Sequence, residues 1–293
     1  MPELPEVQTV VDDLRAAGIE GRTVISVRIS WSNTVRPLSP DEFRREVSGL
    51  QIETVWRRGK YIVFRMQPSA AAGGPSAGTS AAETAFLLTH LRMTGQYELC
   101  PHDDLQDPHD RVEFLLDDGR RLRFHDTRKF GRIIFTRCPR DILAKLGPEP
   151  LDPALTPAMF AAALRSRTRQ IKALLLDQSF LAGLGNIYCD EALFAAGIHP
   201  LQKSSRITEE KAEELLLQIR TVLGQGLAKR GTSLGGGETN YISAGRRGEN
   251  LAALQVYGRA GEACPHCGAR IEKIYVAQRG SHFCSHCQPP PEA

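Results

Sequence analysis

Val112-Glu113-Phe114-Leu115-Leu116-Asp117-Asp118-Gly119-Arg120-Arg121-Leu122-Arg123-Phe124 reads as two short strands folded back on a turn. Residues 112–116 and 121–124 are strand-like in composition. Asp117-Asp118-Gly119 between them is a hairpin signal, because glycine reaches the positive φ that tight turns require. Strands joined this way run antiparallel. Working outward, runs of the same texture occupy residues 23–29, 52–57, 61–66, 85–91 and 133–136. They are closely spaced and no helix is read between them, which predicts an antiparallel sandwich or barrel rather than βαβ units. Ahead of them, Leu4, Val7, Val10, Val11 and Leu14 recur at helical spacing and Gly18 is a stop signal, so one helix opens the chain.

Downstream the pattern changes. Pro148, Pro150, Pro153 and Pro157 crowd one region with the composition of an interdomain linker. Residues 156–164, 170–177, 186–196 and 208–228 then read as helices, the last opening on Thr208 with Lys211, not an acid, three residues on. Gly231 to Gly248 reads as a flexible glycine-rich loop. Residues 67–83, rich in Ala, Gly, Ser and Pro, lack the apolar surface to order themselves and read as a surface insertion.

Composition bounds the rest. A chain of 293 residues is long enough for two or more domains, each with its own core. Hydrophobic content of 41% and charged content of 24% are those of a globular protein, and no apolar run approaches the roughly 18 residues that span a membrane. The first residues carry glutamates where a secretory signal would carry basic residues, so a cytoplasmic location is expected. A net charge of +3 argues only weakly for a nucleic-acid partner, which leaves clustering to decide. Arg165, Arg167, Arg169 and Lys172 form such a cluster. Seven cysteines are an odd number for a disulfide framework; Cys100, Cys138 and Cys189 stand apart from two CxxC pairs, which suits a reducing compartment.

Those pairs, Cys264-x2-Cys267 and Cys284-x2-Cys287, have the spacing by which two knuckles deliver four thiolates to one tetrahedral zinc ion. Four cysteines close the coordination sphere, so the zinc is read as structural. His266, His282 and His286 are read as surface or supporting residues. A knuckle this small presents something from its loop, and Arg279, near the expected hairpin tip, suits a phosphate.

Pro2 alone is an ordinary helix-start proline, and Glu3 and Glu6 alone are first-turn acids favoured by the helix dipole. The string Met1-Pro2-Glu3-Leu4-Pro5-Glu6-Val7, however, resembles the N-terminus of the formamidopyrimidine-DNA glycosylases. The resemblance continues, in family order, through Arg58-Gly59-Lys60-Tyr61, His90-Leu91-Arg92-Met93-Thr94-Gly95, Asp126-Thr127-Arg128-Lys129-Phe130-Gly131, Gly183-Leu184-Gly185-Asn186-Ile187-Tyr188 and Gln255-Val256-Tyr257-Gly258-Arg259 to the four-cysteine finger.

It implies an α+β multidomain fold: a catalytic domain over 1–137 with an N-terminal helix and an antiparallel β-sandwich, a linker over 138–153, a helix-two-turns-helix domain over 154–253, a zinc finger over 254–288 and a tail over 289–293. It implies a bifunctional glycosylase and abasic-site lyase that excises oxidised or ring-opened purines from double-stranded DNA, acting as a monomer at the bacterial nucleoid. With Met1 removed, Pro2 offers a secondary amine whose pKa of about 8 leaves a useful neutral fraction. Glu3 resembles the proton donor, Glu6 its supporting acid, Lys60 the lysine of β-elimination and Arg279 the arginine of δ-elimination; a phosphate contact would suit Lys60 or Arg279 equally. Met93, Arg128 and Phe130 match the trio that fills the space left by an extruded base, with Lys129 as a phosphate neighbour. His90, His109, Arg167 and Asn186 fall where the family contacts DNA, Asn186 at a helix start whose amides suit a phosphate.

Three departures are visible. Arg92 stands where the family commonly has glycine, residues 67–83 lengthen a hairpin, and Gly235-Gly236-Gly237-Glu238-Thr239-Asn240 alters the loop that covers the extruded base. An endonuclease VIII-like enzyme for oxidised pyrimidines is the nearest rival, opposed by Leu4, where that branch has glycine. A non-catalytic zinc protein that binds damaged DNA is opposed by Pro2, Glu3 and Lys60 together.

Overall fold

The structure is a computed structural model that describes residues 1–69, 84–101, 103–234 and 241–291. The chain divides into two compact units, Met1–Leu143 with Arg230–Glu249, and Ala144–Lys229 with Asn250–Ala293.

In the first unit, α1 (Leu4–Ala16) precedes β1 (Val24–Ile29), α2 (Pro40–Val47), β2 (Leu50–Arg58), β3 (Tyr61–Pro68), β4 (Ala85–His90), β5 (Gln96–Cys100), β6 (Asp110–Leu116), β7 (Arg121–His125), β8 (Arg132–Thr136) and the short α3 (Arg140–Leu143). Two four-stranded antiparallel sheets result, ordered β1-β6-β7-β5 and β2-β3-β4-β8. The β6–β7 hairpin closes as the sequence predicts, with Gly119 at φ +84.

Alternate residues of both sheets share one core, including Val27, Phe114 and Phe124 from one and Val55, Phe64 and Ile133 from the other, with Val7, Val10, Val11 and Leu14 of α1 laid against them. Tyr97 joins the layers: its ring lies 5.6 Å from Phe64 and 5.2 Å from Phe124, and its hydroxyl is 2.7 Å from the Thr89 hydroxyl.

The reading of strands with no helix between them is corrected by α2. Its start is coded by Ser39, whose hydroxyl accepts the Glu42 amide while Glu42 reaches back to the Ser39 amide at 2.8 Å. Only Phe43 and Val47 are buried in its eight residues, too few to display a helical period.

Gln67 and Pro68 belong to β3, paired with Gln51 and Leu50. Residues 70–83 of the expected insertion, and the whole 235–240 stretch, lie outside the described residues. The described part of the Gly231 to Gly248 segment carries a ladder, β9 (Ile242–Ser243) with β10 (Arg246–Arg247).

The second unit holds α4 (Pro157–Arg165), α5 (Ile171–Leu175), α6 (Asn186–Ala195), α7 (Glu209–Ala228) and the hairpin β11 (Glu272–Val276) with β12 (Arg279–Phe283). Thr208 caps α7 by accepting the Lys211 amide at 3.3 Å. The proline-rich entry is fastened by Arg220 of α7, which donates to the carbonyls of Pro150, Asp152 and Leu155. The sequence reading keeps 154–253 together, whereas residues 230–249 group with the first unit. Composition marks that segment as a loop without saying what it packs against. Among the described residues no helix is long and apolar enough to cross a membrane.

Candidate active site and nucleic-acid interface

The first turn of α1 gathers three of the sequence-predicted residues. Pro2 is buried while Met1 is 41% exposed. Glu3 and Glu6 are also buried, which for acids demands partners. Glu6 Oε2 accepts the Glu3 amide at 2.7 Å, and Glu6 Oε1 accepts the Thr232 amide at 2.8 Å. A Cβ on Gly231 would stand 2.7 Å from Glu6 Cγ and Oε1, so glycine at φ +84 lets this segment approach the carboxylate.

Lys60 occupies the two-residue turn between β2 and β3 and is buried. That turn is tied to α1 by Arg57, which donates to Gln8 Oε1 at 3.1 Å and to the Gly59 carbonyl at 3.0 Å. Across the sheet Tyr61 pairs with His90, their rings edge to face at 5.1 Å. Burial, then the charges of Arg92 and Lys60, push the His90 imidazole down to about 3. Neutral at physiological pH, it accepts the Arg92 amide on Nδ1, so its proton sits on Nε2. His109 is held alike. Its Nδ1 faces Arg111 Nη2 at 2.9 Å, and a guanidinium can only donate. Both histidines thus offer an Nε2–H, the hydrogen-bonding complement of a phosphate oxygen.

Two loops carry the trio, residues 91–95 with Met93 and residues 126–131 with Arg128 and Phe130. Met93 and Phe130 are 36% and 47% exposed although the neighbouring Leu91, Thr94, Gly95 and Gly131 are buried. Arg128 lies over the Phe130 ring at 5.0 Å and Lys129 over the Trp31 ring at 4.3 Å. Arg92 and Lys129 have φ of +57 and +61, a conformation that costs a non-glycine residue energy and accumulates at functional loops.

Both loops converge on Asp126, which is fully buried. One oxygen accepts the Thr94 hydroxyl at 2.5 Å and the Arg128 amide at 3.2 Å, and the other accepts the Gly131 amide at 2.7 Å. The Asp126 backbone completes the junction, taking Arg111 Nε on its carbonyl and donating to the His109 carbonyl.

In the second unit Arg279 is exposed and begins β12, directly after a two-residue turn whose Ala277 and Gln278 both have positive φ. The hairpin is fixed to α6 by buried polar groups. Lys172 Nζ meets Asp190 Oδ1 at 2.5 Å and the Gly280 carbonyl at 3.1 Å; Asp190 also accepts the Ser281 hydroxyl and the His282 amide; Asn186 Nδ2 donates to the same Gly280 carbonyl at 2.9 Å.

The expected basic cluster is therefore corrected. Lys172 is fully buried and paired, Arg169 is paired with Asp177 and Arg165 with Glu209, because acids from other turns reach each of them. Arg167 remains exposed, its guanidinium packed on the Phe180 ring and held by the Ala163 carbonyl and Ser166 hydroxyl.

The sulfurs of Cys264, Cys267, Cys284 and Cys287 all lie within 4.8 Å of one another. Cys264 and Cys287 are 3.8 Å apart, and Cys267 and Cys284 3.5 Å, close to the roughly 3.8 Å between corners of a tetrahedron with about 2.3 Å zinc–sulfur bonds. The amides of His266 and Cys267 face the Cys264 sulfur, as those of His286 and Cys287 face Cys284, so two equivalent knuckles present their thiols to one point. The donor set fits one structural zinc ion. His282 instead turns Nδ1 to Asp190 at 3.2 Å, and His266 stacks on Phe194 at 4.7 Å.

Three family models match: the formamidopyrimidine-DNA glycosylase N-terminal domain over residues 1–133, the H2TH domain of the same enzymes over 146–236, and the zinc finger found in FPG and IleRS over 261–290. The chain belongs to the formamidopyrimidine-DNA glycosylase family. Among its relatives, the formamidopyrimidine-DNA glycosylase of Protochlamydia amoebophila is 42% identical, over 98% of this chain and 99% of the relative, and that of Bacillus subtilis is 37% identical over 98% and 99%. Solved Lactococcus lactis complexes, one of Fpg with abasic-site DNA and one with Fapy-dG DNA, superpose with a TM-score of 0.84 each. They are 34% and 35% identical and cover 98% of this chain and 100% of theirs.

Motif reading of this formamidopyrimidine-DNA glycosylase family member missed the residues that hold the motifs in place. Asp126 was visible as a lone acid among the bases of Thr127-Arg128-Lys129-Phe130. Asp190 and Glu191 were visible as adjacent acids in an otherwise apolar helix, a composition that calls for buried partners. Glu191 finds them in the amides of Gln255, Val256 and Tyr257, which fixes that family motif.

Proposed function

We propose that this chain removes oxidised or ring-opened purines from double-stranded DNA and then cuts the abasic strand, using the Pro2 nitrogen as nucleophile. The reading is supported by family membership together with one observation: Pro2 and Glu3 are buried at the start of α1, with Glu6 held beneath them by two amides. Once Met1 is removed, the Pro2 nitrogen forms a bond to C1′ of the damaged nucleotide as the glycosidic bond breaks and the base leaves with a proton. Glu3 protonates the sugar ring oxygen as the ring opens, leaving an iminium between Pro2 and C1′. The iminium acidifies the C2′ proton. Its loss expels the 3′ phosphate, and a second elimination expels the 5′ phosphate. Lys60 serves the first elimination and Arg279 the second.

Extrusion of the base leaves a gap that Met93, Arg128 and Phe130 occupy, while His90, His109, Arg167 and Asn186 hold phosphates. A zinc ion on Cys264, Cys267, Cys284 and Cys287 supplies no chemistry; it fixes the finger that carries Arg279. The domains act as 1–137 for catalysis, 154–253 for DNA binding and 254–288 for the finger, with residues 230–249 grouped with the catalytic unit, as a monomer on chromosomal DNA. Borohydride reduction tests the mechanism. The protein is expected to become covalently linked to 8-oxoguanine DNA, and Pro2→Gly or a blocked N-terminus to abolish the link. Trapping that survives a blocked Pro2 refutes the nucleophile, and a clear preference for thymine glycol refutes the purine assignment.

A further inference from the structure

We propose that Asp13, which belongs to none of the family motifs above, is a positioning residue for base removal and contributes to lesion discrimination. Asp13 lies seven residues after Glu6, so two helical turns bring it to the same face of α1 but farther from Pro2. The polypeptide leaves α7 and reverses at Arg230 and Gly231, with consecutive φ of +57 and +84. It then forms a stem of residues 230–234 and 241–249. The stem is cross-tied by the Thr232–Glu249 bridge, by the Ser233 hydroxyl donating to the Tyr241 carbonyl and by the Gly248 amide donating to the Ser233 hydroxyl at 2.9 Å.

Asp13 holds both sides of this stem through one oxygen. Oδ2 accepts Arg230 Nη2 at 2.7 Å from the outgoing side and the Ser243 hydroxyl at 2.5 Å from the returning side. The carboxylate and guanidinium are only 17% and 23% exposed, so the pair is partly shielded from solvent, unlike the exposed pairs that contribute little. Arg230 is also the residue held in the left-handed region, so the ion pair restrains a backbone conformation that arginine rarely adopts.

Two acids of one helix therefore divide the stem between them. Glu6 takes the Thr232 amide next to the catalytic N-terminus, and Asp13 grips both strands of the stem farther along the helix. Loss of Asp13 leaves the Glu6 tie, and hence the Pro2–Glu3 geometry, in place. It frees the rest of the stem on both sides of positions 235–240, which lie outside the described residues and which the family resemblance implies cover the extruded base. The inference rests on the function proposed above. It places some of the discrimination among bases in a contact that touches no base.

The test compares single-turnover excision of 8-oxoguanine with cleavage at a preformed abasic site, which has no base to position. D13A is expected to slow excision by about tenfold, within the range that misplacement of reacting groups produces, and to leave abasic cleavage within about twofold of wild type. S243A, which removes only a hydroxyl, is expected to show the same selectivity to a smaller degree, and it carries the test if D13A does not fold. D13A/R230A is expected to be no slower than D13A, because the two residues act as a unit. Equal losses on both substrates, additive losses in the double variant, or wild-type excision in both D13A and S243A would overturn the proposal. A wild-type protein that forms no trapped adduct overturns the proposed function instead.

Discussion

The Thr94 hydroxyl donates to Asp126 across 32 positions of sequence, and this contact joins the Met93 loop to the Arg128–Phe130 loop. T94V removes the donor without changing shape and is expected to cost about 1 kcal/mol. D126N is expected to cost about 1–3 kcal/mol, because an amide nitrogen turned to Gly131 or Arg128 leaves a buried donor facing a donor. Denaturant midpoints measure the stability loss, and fluorescence of a 2-aminopurine opposite or beside the lesion measures insertion. If D126N inserts its wedge at the wild-type rate, the two loops do not depend on this node.

Glycine is required at 231 by both space and backbone angle. G231A drives a Cβ into Glu6 and is expected to destabilise the first unit by about 1–3 kcal/mol, the range for left-handed strain. Excision and borohydride trapping should fall together, because the displaced carboxylate also holds the Glu3 amide. Retained trapping in G231A would separate Glu6 from the reaction.

Lys172 and Asp190 form a buried ion pair whose members cannot be removed singly at low cost. K172M leaves the Asp190 carboxylate uncompensated and is expected to lose about 3–5 kcal/mol. Zinc release to a chromogenic chelator, followed on the full chain, should quicken in the same variant. Unchanged stability and unchanged release would show that the hairpin is held by the thiols alone.

Acid should weaken the fold before its carboxylates titrate. His90 is held near 3 in the folded chain against an ordinary 6.5, so between those values the unfolded chain binds the extra proton and stability falls as pH drops. His125 runs the opposite way. Asp110, its hydrogen-bond partner, raises it, so its contribution is complete below 6.5 and is lost as pH rises through the raised value. H90Q is expected to flatten the decline of the melting temperature between about pH 6.5 and 5. An unaltered decline would assign it to other groups.

Repetition is what made much of this fold legible. The period-3.6 pattern of α1 and the strand runs of both sheets emerge from neighbours a few residues apart, as do the cysteine pairs. The eight-residue α2 and the two-residue strands β9 and β10 are too short to establish a period. In the site, Pro2, Glu3 and Lys60 were legible only as members of motifs, and Arg279 from its place between the two cysteine pairs. Asp126 and Asp13 were not legible as anchors, since their roles depend on partners 32 and 217 positions away, and no local pattern encodes that distance.

Glu6 accepts a hydrogen bond from an amide 226 residues downstream, which gives the molecule an order of assembly. The amino terminus leaves the ribosome first, yet the carboxylate beneath it lacks its Thr232 partner until that residue has been synthesised. The helices of residues 144–229 emerge in between, and their own unit is completed only when residues 250–293 follow. A nascent or prematurely terminated chain thus carries Pro2 without its completed setting, and the start of α1 is among the last regions to mature.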